Sequence, residues 1–145
     1  SAFMAYAGIA YFQGQFNIAA FSATVTGAIL AFLWFNIPPA RFWMTETGTM
    51  GLTMTLAVIA FMTDTLGNGY GVAALPIIAF PLVITVVSNI MQIASKKLRG
   101  KKIFRIAPLH HHFEAIGWPS YKVTMRYWII SIVCAVVGMT VALLK

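Results

Sequence analysis

The chain has 145 residues, of which 60% are hydrophobic and 9% are charged, a balance well outside that of soluble globular proteins. Ten Lys and Arg residues against three Asp and Glu residues give a net charge of +7. Basic loops next to an anionic inner leaflet account for that charge without a nucleic-acid partner. The composition therefore indicates an integral membrane protein.

Five apolar stretches are candidates for transmembrane helices, because a helix needs about 20 residues to cross the hydrocarbon. In chain order they are residues 2–12, which is short, 16–35, 42–62, 70–94 and 127–144. Pro76 and Pro81 lie inside the fourth stretch and predict a kink there. The pattern predicts an all-α polytopic membrane protein with about five transmembrane helices.

The basic residues predict the orientation of these helices. Nine of the ten Lys and Arg residues lie at position 41 or within residues 96–126, in the two connections on one side of the predicted membrane. The positive-inside rule makes that side cytoplasmic. It carries a histidine-rich loop at about residues 96–121.

Between the second and third stretches, Asn36 is followed by Pro38 and Pro39, which predict a tight turn. The turn can place Asn36 and Glu46 at the same membrane face, within reach of one ligand. An amide there can donate to phosphate oxygens, and a carboxylate can bind Mg²⁺, which prefers oxygen ligands and commonly bridges to substrate phosphates. The alternative is a turn that only terminates a helix.

Glu46 is itself unusual, because a carboxylate within or at the edge of a span needs a cation or a wet cleft. Thr49 and Thr53 share its helical face. The fourth stretch has a second polar stripe, formed by Thr85, Ser88, Gln92 and Ser95. For the Ser and Thr positions, hydrogen bonds between helices and a functional cleft remain open alternatives.

The sequence RIAPLHHHFEAIGW at residues 105–118 contains His110, His111 and His112. Three adjacent histidines cannot all face one metal from a regular helix or strand, and the sequence lacks the cysteines or spaced histidine pairs of a structural zinc site. We therefore expect imidazoles that bind an anionic substrate or carry protons. A solvated loop is the alternative.

Three stretches together resemble one enzyme family: FLWFNIPPARFWMTETGTMGL at residues 32–52, KLRGKKIFRIAPLHHHFEAIGW at 97–118 and RYWIIS at 126–131. They are similar to the C-terminal part of the phospho-N-acetylmuramoyl-pentapeptide transferase (MraY) family, within the polyprenyl-phosphate N-acetylhexosamine-1-phosphate transferases. The resemblance covers nearly the whole chain. It is most specific in the second stretch, because related transferases carry a differently spaced histidine motif.

The resemblance implies transfer of phospho-MurNAc-pentapeptide from UDP-MurNAc-pentapeptide to undecaprenyl phosphate, with Mg²⁺ as cofactor. The reaction yields lipid I and UMP for peptidoglycan synthesis in the bacterial plasma membrane, at a cleft that faces the cytoplasm. Carried over by motif, the catalytic residues would be His110, His111 and His112, and Glu46 would replace a metal-binding aspartate.

The same resemblance makes Asn36 a polar residue of the cleft, and Lys102 and Arg105 would attract phosphates at its border. From the polar stripe we add Gln92 as a substrate-binding residue. The family's paired aspartates lie upstream of Ser1, so the chain is expected to be the C-terminal half of a larger helical bundle, inactive alone. The missing N-terminal half, membrane lipids and a second copy of the chain are the further expected partners.

Two departures from the family pattern leave alternatives open. The family usually reads Met-Gly-Asp-x-Gly-Ser where residues 44–49 read Met-Thr-Glu-Thr-Gly-Thr, and it often has a glutamate in place of Thr85. These departures favour a non-catalytic membrane scaffold that retains the fold. A related transferase that uses UDP-GlcNAc is the other alternative, and the triple-histidine spacing argues against it.

Overall fold

The computed structural model describes residues 1–37, 41–42, 44–67, 70–101, 103–104 and 106–144. These residues contain seven α-helices and no strand, which confirms the predicted all-α class. The helices are α1 (Ala2–Phe12), α2 (Phe16–Asn36), α3 (Glu46–Thr65), α4 (Gly71–Ile78), α5 (Phe80–Arg99), α6 (Leu109–Ala115) and α7 (Ser120–Leu143).

By length and composition, fewer helices than predicted can cross a membrane. In the described part of the chain, α2 and α7 qualify alone, and the broken pair α4 and α5 adds a third if the pair counts as one span. The count is therefore two or three rather than five. At 11 residues α1 is short, and α3 has 20 residues but carries Glu46 in its first turn and six threonines, which make it less apolar.

The predicted kink in the fourth stretch is confirmed as a break at Ala79, between Pro76 and Pro81. Proline lacks the N–H that the preceding turn needs, so α4 ends and a new helix begins with Pro81 in its first turn. From there α5 continues to Arg99, beyond the predicted end. It closes at Gly100, whose φ of 66° is the left-handed conformation that glycine adopts readily.

The chain divides into two compact units. Unit 1 comprises Ser1–Ile78 and Ala135–Lys145, and unit 2 comprises Ala79–Cys134. In unit 1, α1 packs against α2, α3 and α4 around the fully buried Tyr6, Ile9 and Ile59. The small residues Ala10 and Ala60 are also fully buried there, and small side chains allow helix backbones to approach closely in membranes.

Gly71 is the point of closest approach within unit 1. The Tyr6 hydroxyl donates to the Gly71 carbonyl at 2.8 Å, and the Gly71 N–H donates to the Asp64 carboxylate at 3.1 Å. A Cβ at position 71 would meet the Thr63 hydroxyl and the Ala60 carbonyl, so only glycine fits. Loss of the Tyr6 hydroxyl would remove one buried hydrogen bond to the first residue of α4, at a cost of about 1 kcal/mol.

The outward surfaces of the long helices are apolar. Trp34 on α2 is 78% exposed, and Ile93 on α5 and Ile129 on α7 are 67% and 62% exposed. Such surfaces are a liability in water but are compatible with hydrocarbon or with further packed helices. Together with the apolar spans, they identify a membrane protein.

Candidate functional site

The polar face of α5 in unit 2 holds the segment that carries the histidines. Ser88 is buried and accepts a hydrogen bond from the N–H of Leu109, the first residue of α6, at 3.2 Å. Its hydroxyl donates to the Thr85 carbonyl at 2.7 Å, which fixes its direction. One small side chain thus connects α5 to the start of the histidine helix.

One turn further along α5, the Gln92 side chain is hydrogen-bonded to the loop before α6. Its Oε1 accepts from the N–H groups of Ile103 at 3.1 Å and Phe104 at 2.9 Å, and its Nε2 donates to the Phe104 carbonyl at 2.9 Å. A glutamine can do this because its amide presents an acceptor and a donor side by side. Substrate contact by Gln92 remains a prediction.

Ser95 completes the row, because its hydroxyl donates to the Lys101 carbonyl at 2.9 Å. We call Ser88, Gln92 and Ser95 the α5 polar stripe. The sequence predicted these polar positions but not their partners. Their side chains bond to the backbone of the segment that follows α5 and not to another spanning helix. Thr85, predicted in the same row, donates instead to the Pro81 carbonyl of its own helix at 2.7 Å.

The three histidines occupy consecutive positions of α6 and have different neighbours. The His110 ring meets the Tyr127 ring edge-on at 6.3 Å, and the His112 ring meets the Phe104 ring edge-on at 5.4 Å. Successive residues of a helix are rotated by about 100°. The His110 and His112 rings therefore have different aromatic neighbours, whereas the His110 and His111 rings lie side by side, 4.3 Å apart.

The His111 Nδ1 lies 2.8 Å from the Glu114 Oε2, at hydrogen-bond distance. The side chains are 52% and 36% exposed, so the pair contributes at most about 1 kcal/mol to stability. Its effect is orientational, because the carboxylate accepts from an Nδ1–H, which in the neutral imidazole leaves Nε2 as the acceptor. Glu114 is a positioning residue that the sequence reasoning did not single out.

His110 is the histidine whose protonation is disfavoured. Burial lowers the pKa of His110 below its ordinary value of 6.5, and the neighbouring His111 charge lowers it further, against a smaller opposing effect of Glu114. The His110 and His111 ring centroids are 4.3 Å apart. At neutral pH, His110 is therefore a neutral imidazole, able to accept a proton or a hydrogen bond.

Of the other predicted residues, Asn36 and Glu46 lie in unit 1. The Asn36 amide oxygen accepts from the Phe42 N–H at 3.2 Å, and the rings of Phe35 and Phe42 meet edge-on at 6.5 Å. These contacts join the two ends of the predicted turn. Pro38 and Pro39, which predicted the turn, lie outside the described residues. The amide oxygen of Asn36 thus stabilises the turn, in line with the alternative that the turn only terminates a helix.

Glu46 is the first residue of α3 and is exposed. A carboxylate in the first turn interacts favourably with the helix dipole, and among the described residues Glu46 has no hydrogen bond or ion pair. Thr49 and Thr53, on the same face, donate to carbonyls of their own helix at 3.3 Å and 2.8 Å. The Glu46 carboxylate thus remains the one unengaged group of this face.

Within the described ranges, no three His, Cys, Asp or Glu side chains are grouped to hold a metal ion. A single unpaired carboxylate nevertheless fits Mg²⁺, which usually takes one or two protein carboxylates together with water and substrate phosphates. Lys102 and Arg105 lie outside the described residues, so their predicted role stays a prediction.

A cluster of aromatic and basic side chains beside α6 was missed by the sequence reasoning. The Trp118 ring stacks on Phe113 at 5.1 Å, the Arg126 guanidinium lies 4.2 Å from the Trp118 ring centroid, and the Lys122 ammonium lies 5.2 Å from it. A tryptophan two residues before a helix, with basic residues at i+4 and i+8 from it, is the signal that could have found it.

Comparison with known proteins agrees with the resemblance. The profile of a family described as glycosyl transferase family 4 matches residues 1–64. The chain is 41% identical over 143 residues to the phospho-N-acetylmuramoyl-pentapeptide-transferase of Pelagibacter ubique, covering 99% of the chain and 38% of the relative. Enzymes of the same name from Geobacillus thermodenitrificans and Anoxybacillus flavithermus are 39% and 41% identical over 137 residues, covering 94% of the chain and 40% of each relative.

The chain thus spans about two fifths of the length of the curated relatives it matches. The similarity extends over nearly the whole chain, so it includes both the Asn36–Glu46 region and the histidine segment. The resemblance to this transferase family is confirmed.

We predict that Gln92→Leu releases the loop before α6. Each lost hydrogen bond is worth about 1 kcal/mol, so the amides of Ile103 and Phe104 should exchange with deuterium roughly fivefold faster or more. Gln92→Glu keeps the acceptor oxygens and should preserve most of the protection. Ser95→Ala is the matched control, because it removes only the bond to the Lys101 carbonyl. Unchanged exchange at residues 103 and 104 in Gln92→Leu would contradict the assignment.

We also predict that His110 titrates below 6.5 in the folded protein, as measured by NMR of labelled histidine side chains. Glu114→Gln should lower this pKa further, and His111→Asn should raise it. The unfolded chain binds this proton more readily than the folded chain, so His110 contributes full stability above about pH 6.5. That contribution is lost as the pH falls through the lowered pKa. A raised His110 pKa in Glu114→Gln, or a lowered one in His111→Asn, would overturn the proposed electrostatics.

Proposed function

We propose that this chain forms the histidine-bearing part of a membrane transferase that moves phospho-MurNAc-pentapeptide from UDP-MurNAc-pentapeptide to undecaprenyl phosphate. The observation that carries the proposal is the similarity to enzymes of that name over 99% of the chain. The products would be lipid I and UMP, as in peptidoglycan synthesis. Because the relatives are longer, the complete site would include residues beyond this chain.

In the proposed reaction, an oxygen of the lipid phosphate attacks the phosphorus that is bonded to the sugar. The bond from this phosphorus to the UMP oxygen breaks, and the negative charge that develops on UMP needs donors placed in advance. The imidazoles of α6 would contact oxygens of the diphosphate, with His110 and His111 side by side. His111, oriented by Glu114, would donate or accept through Nε2.

His110 would have a different role, since its lowered pKa leaves it neutral at pH 7. A neutral imidazole can accept a proton from a substrate hydroxyl or phosphate and release it later. Lys102 and Arg105 would add fixed positive charge for the phosphates. Asn36 would donate an amide N–H to a phosphate oxygen, since its amide oxygen is already bonded to the Phe42 N–H.

Glu46 would hold Mg²⁺ together with substrate phosphates and with carboxylates from outside this chain. When bound, Mg²⁺ would neutralise part of the diphosphate charge. Glu46 has one methylene more than the aspartate of the family motif. If that extra length prevents Mg²⁺ binding, the scaffold alternative is favoured. Substitution at this position therefore distinguishes an enzyme from a scaffold.

The test uses the protein at its full encoded length, with UMP release and lipid I formation as readouts. We expect Glu46→Gln to lose activity, because the amide keeps the shape but not the charge, whereas Glu46→Asp should retain or raise it. At least one of the alanine variants of His110, His111 and His112 should lose about 10²–10³-fold in kcat, the usual effect of removing one stabilising group.

Thr24→Ala is the control for this assay, because Thr24 is exposed on α2 and donates only to its own helix at Ala20. A fully active Glu46→Gln variant would remove Glu46 from the site. Wild-type activity in all three histidine variants would favour the solvated-loop alternative. Absence of lipid I with a UDP-MurNAc-pentapeptide donor, but product with UDP-GlcNAc, would favour the related transferase.

We further propose that the protein lies in the bacterial plasma membrane with the histidine segment on the cytoplasmic side. The support is the basic bias of residues 96–126. In a background with Cys134→Ala and no other cysteine, Ser120→Cys should react with an impermeant maleimide only after the inner face is opened. Thr65 is exposed at the C-terminal end of α3, away from Glu46. A Thr65→Cys variant should react with the same maleimide in intact cells. The reverse pattern would contradict this orientation.

A further inference from the structure

Two basic side chains lie against the indole ring of Trp118. Arg126 lies 4.2 Å and Lys122 lies 5.2 Å from its ring centroid, and Phe113 stacks on the same ring system at 5.1 Å with an interplanar angle of 24°. Phe113 belongs to α6, so the stack is supported from the histidine helix. The two cations are thereby brought together and their side chains are partly ordered before any ligand arrives.

This pair of cations lacks a counter-charge. Lys122 and Arg126 are four residues apart on α7, where like charges repel, and neither makes an ion pair in the part of the chain that the structure describes. Both side chains are exposed. An anion with several oxygens could bridge the ammonium and the guanidinium and relieve the repulsion.

The position of the pair points to an anion attached to a hydrocarbon chain. Directly after Arg126, α7 becomes continuously apolar, and Ile129, Ile130 and Val133 on the Arg126 side of the helix are 62%, 45% and 56% exposed. Tryptophan and basic side chains at the end of an apolar helix are typical of the membrane–water interface. A ligand that binds here would have its charge at the cations and its apolar part along α7.

We propose that Trp118, Lys122 and Arg126 form a binding site for the phosphate group of a membrane lipid. The inference goes beyond the proposed transfer reaction, because it depends on the two cations beside Trp118 and needs no chemistry at the histidines. Two lipids present this chemistry: an anionic phospholipid of the surrounding membrane, and a polyprenyl phosphate such as the proposed acceptor. The experiment separates them.

The protein at its full encoded length is placed in phosphatidylcholine nanodiscs and titrated, in separate arms, with phosphatidylglycerol, undecaprenyl phosphate and inorganic phosphate. Binding is counted by native mass spectrometry and does not depend on transfer activity. We expect saturable binding of at least one lipid and about tenfold weaker binding in the double variant Lys122→Gln/Arg126→Gln, since it loses two charge-assisted contacts. Arg126→Lys, which keeps the charge but loses the planar fork, should lie between them.

The matched control is Lys96→Gln/Lys97→Gln, which removes the same charge from exposed positions at the end of α5. It should weaken only non-saturable, salt-sensitive association. Saturable, variant-sensitive binding of phosphatidylglycerol would identify bulk phospholipid, and such binding of undecaprenyl phosphate alone would identify the polyprenyl lipid. Equal lipid binding by wild type and both Arg126 variants, or binding of inorganic phosphate as tight as that of either lipid, would overturn the proposal. If the wild-type protein binds lipid in this way but has no transfer activity, the result contradicts the proposed function and leaves the lipid site standing.

Discussion

The histidine segment depends on hydrogen bonds from the α5 polar stripe. Ser88, Gln92 and Ser95 make five bonds to the backbone of residues 101–109. At about 0.5–1.5 kcal/mol each, five bonds amount to several kcal/mol, comparable with the whole stability of many domains. Among the described residues, α6 has no fully buried side chain, and Leu109 and Phe113 are half-buried, so hydrogen bonds supplement partial apolar burial in holding it. Polar side chains fix the segment here because an irregular backbone at the end of a helix needs partners for its N–H and C=O groups.

This mode of attachment explains how three adjacent imidazoles acquire different properties. A short helix fastened at its first residue cannot rotate freely, so each histidine keeps its own surroundings. Burial and the neighbouring His111 keep His110 neutral, while Glu114 directs one face of His111. A flexible loop would average these environments. The arrangement therefore supports separate roles for the histidines in binding and proton transfer.

Much of the helical framework could be predicted from the sequence, because apolar length and proline position act locally. The first helix has the predicted bounds, and the break at Ala79 lies between the two prolines that predicted it. The exposed Glu46 and the polar α5 face were also visible as helical periodicities. By length and composition, two or three of the described helices qualify as spans rather than about five, because α1 is short and Glu46 and the threonines lower the hydropathy of α3.

The use of the polar face could not be predicted, because it depends on contacts between distant positions. Gln92 binds residue 104, twelve positions away, and Ser88 binds residue 109, twenty-one positions away. Periodicity identifies a face but not its partner. The Trp118 stack was missed for the same reason, since Phe113 and Arg126 converge on one ring from two helices.

The central claim is that α5 presents the histidines to a phosphorylated substrate. It is tested most directly by a structure of the protein at its full encoded length with UDP-MurNAc-pentapeptide bound. The account predicts a diphosphate oxygen within about 2.7–3.2 Å of at least one imidazole nitrogen of residues 110–112, at hydrogen-bond distance, with Gln92 still bonded to the backbone of residues 103 and 104. A donor whose diphosphate lies beyond the reach of all three imidazoles, or a Gln92 side chain detached from the loop, would contradict it.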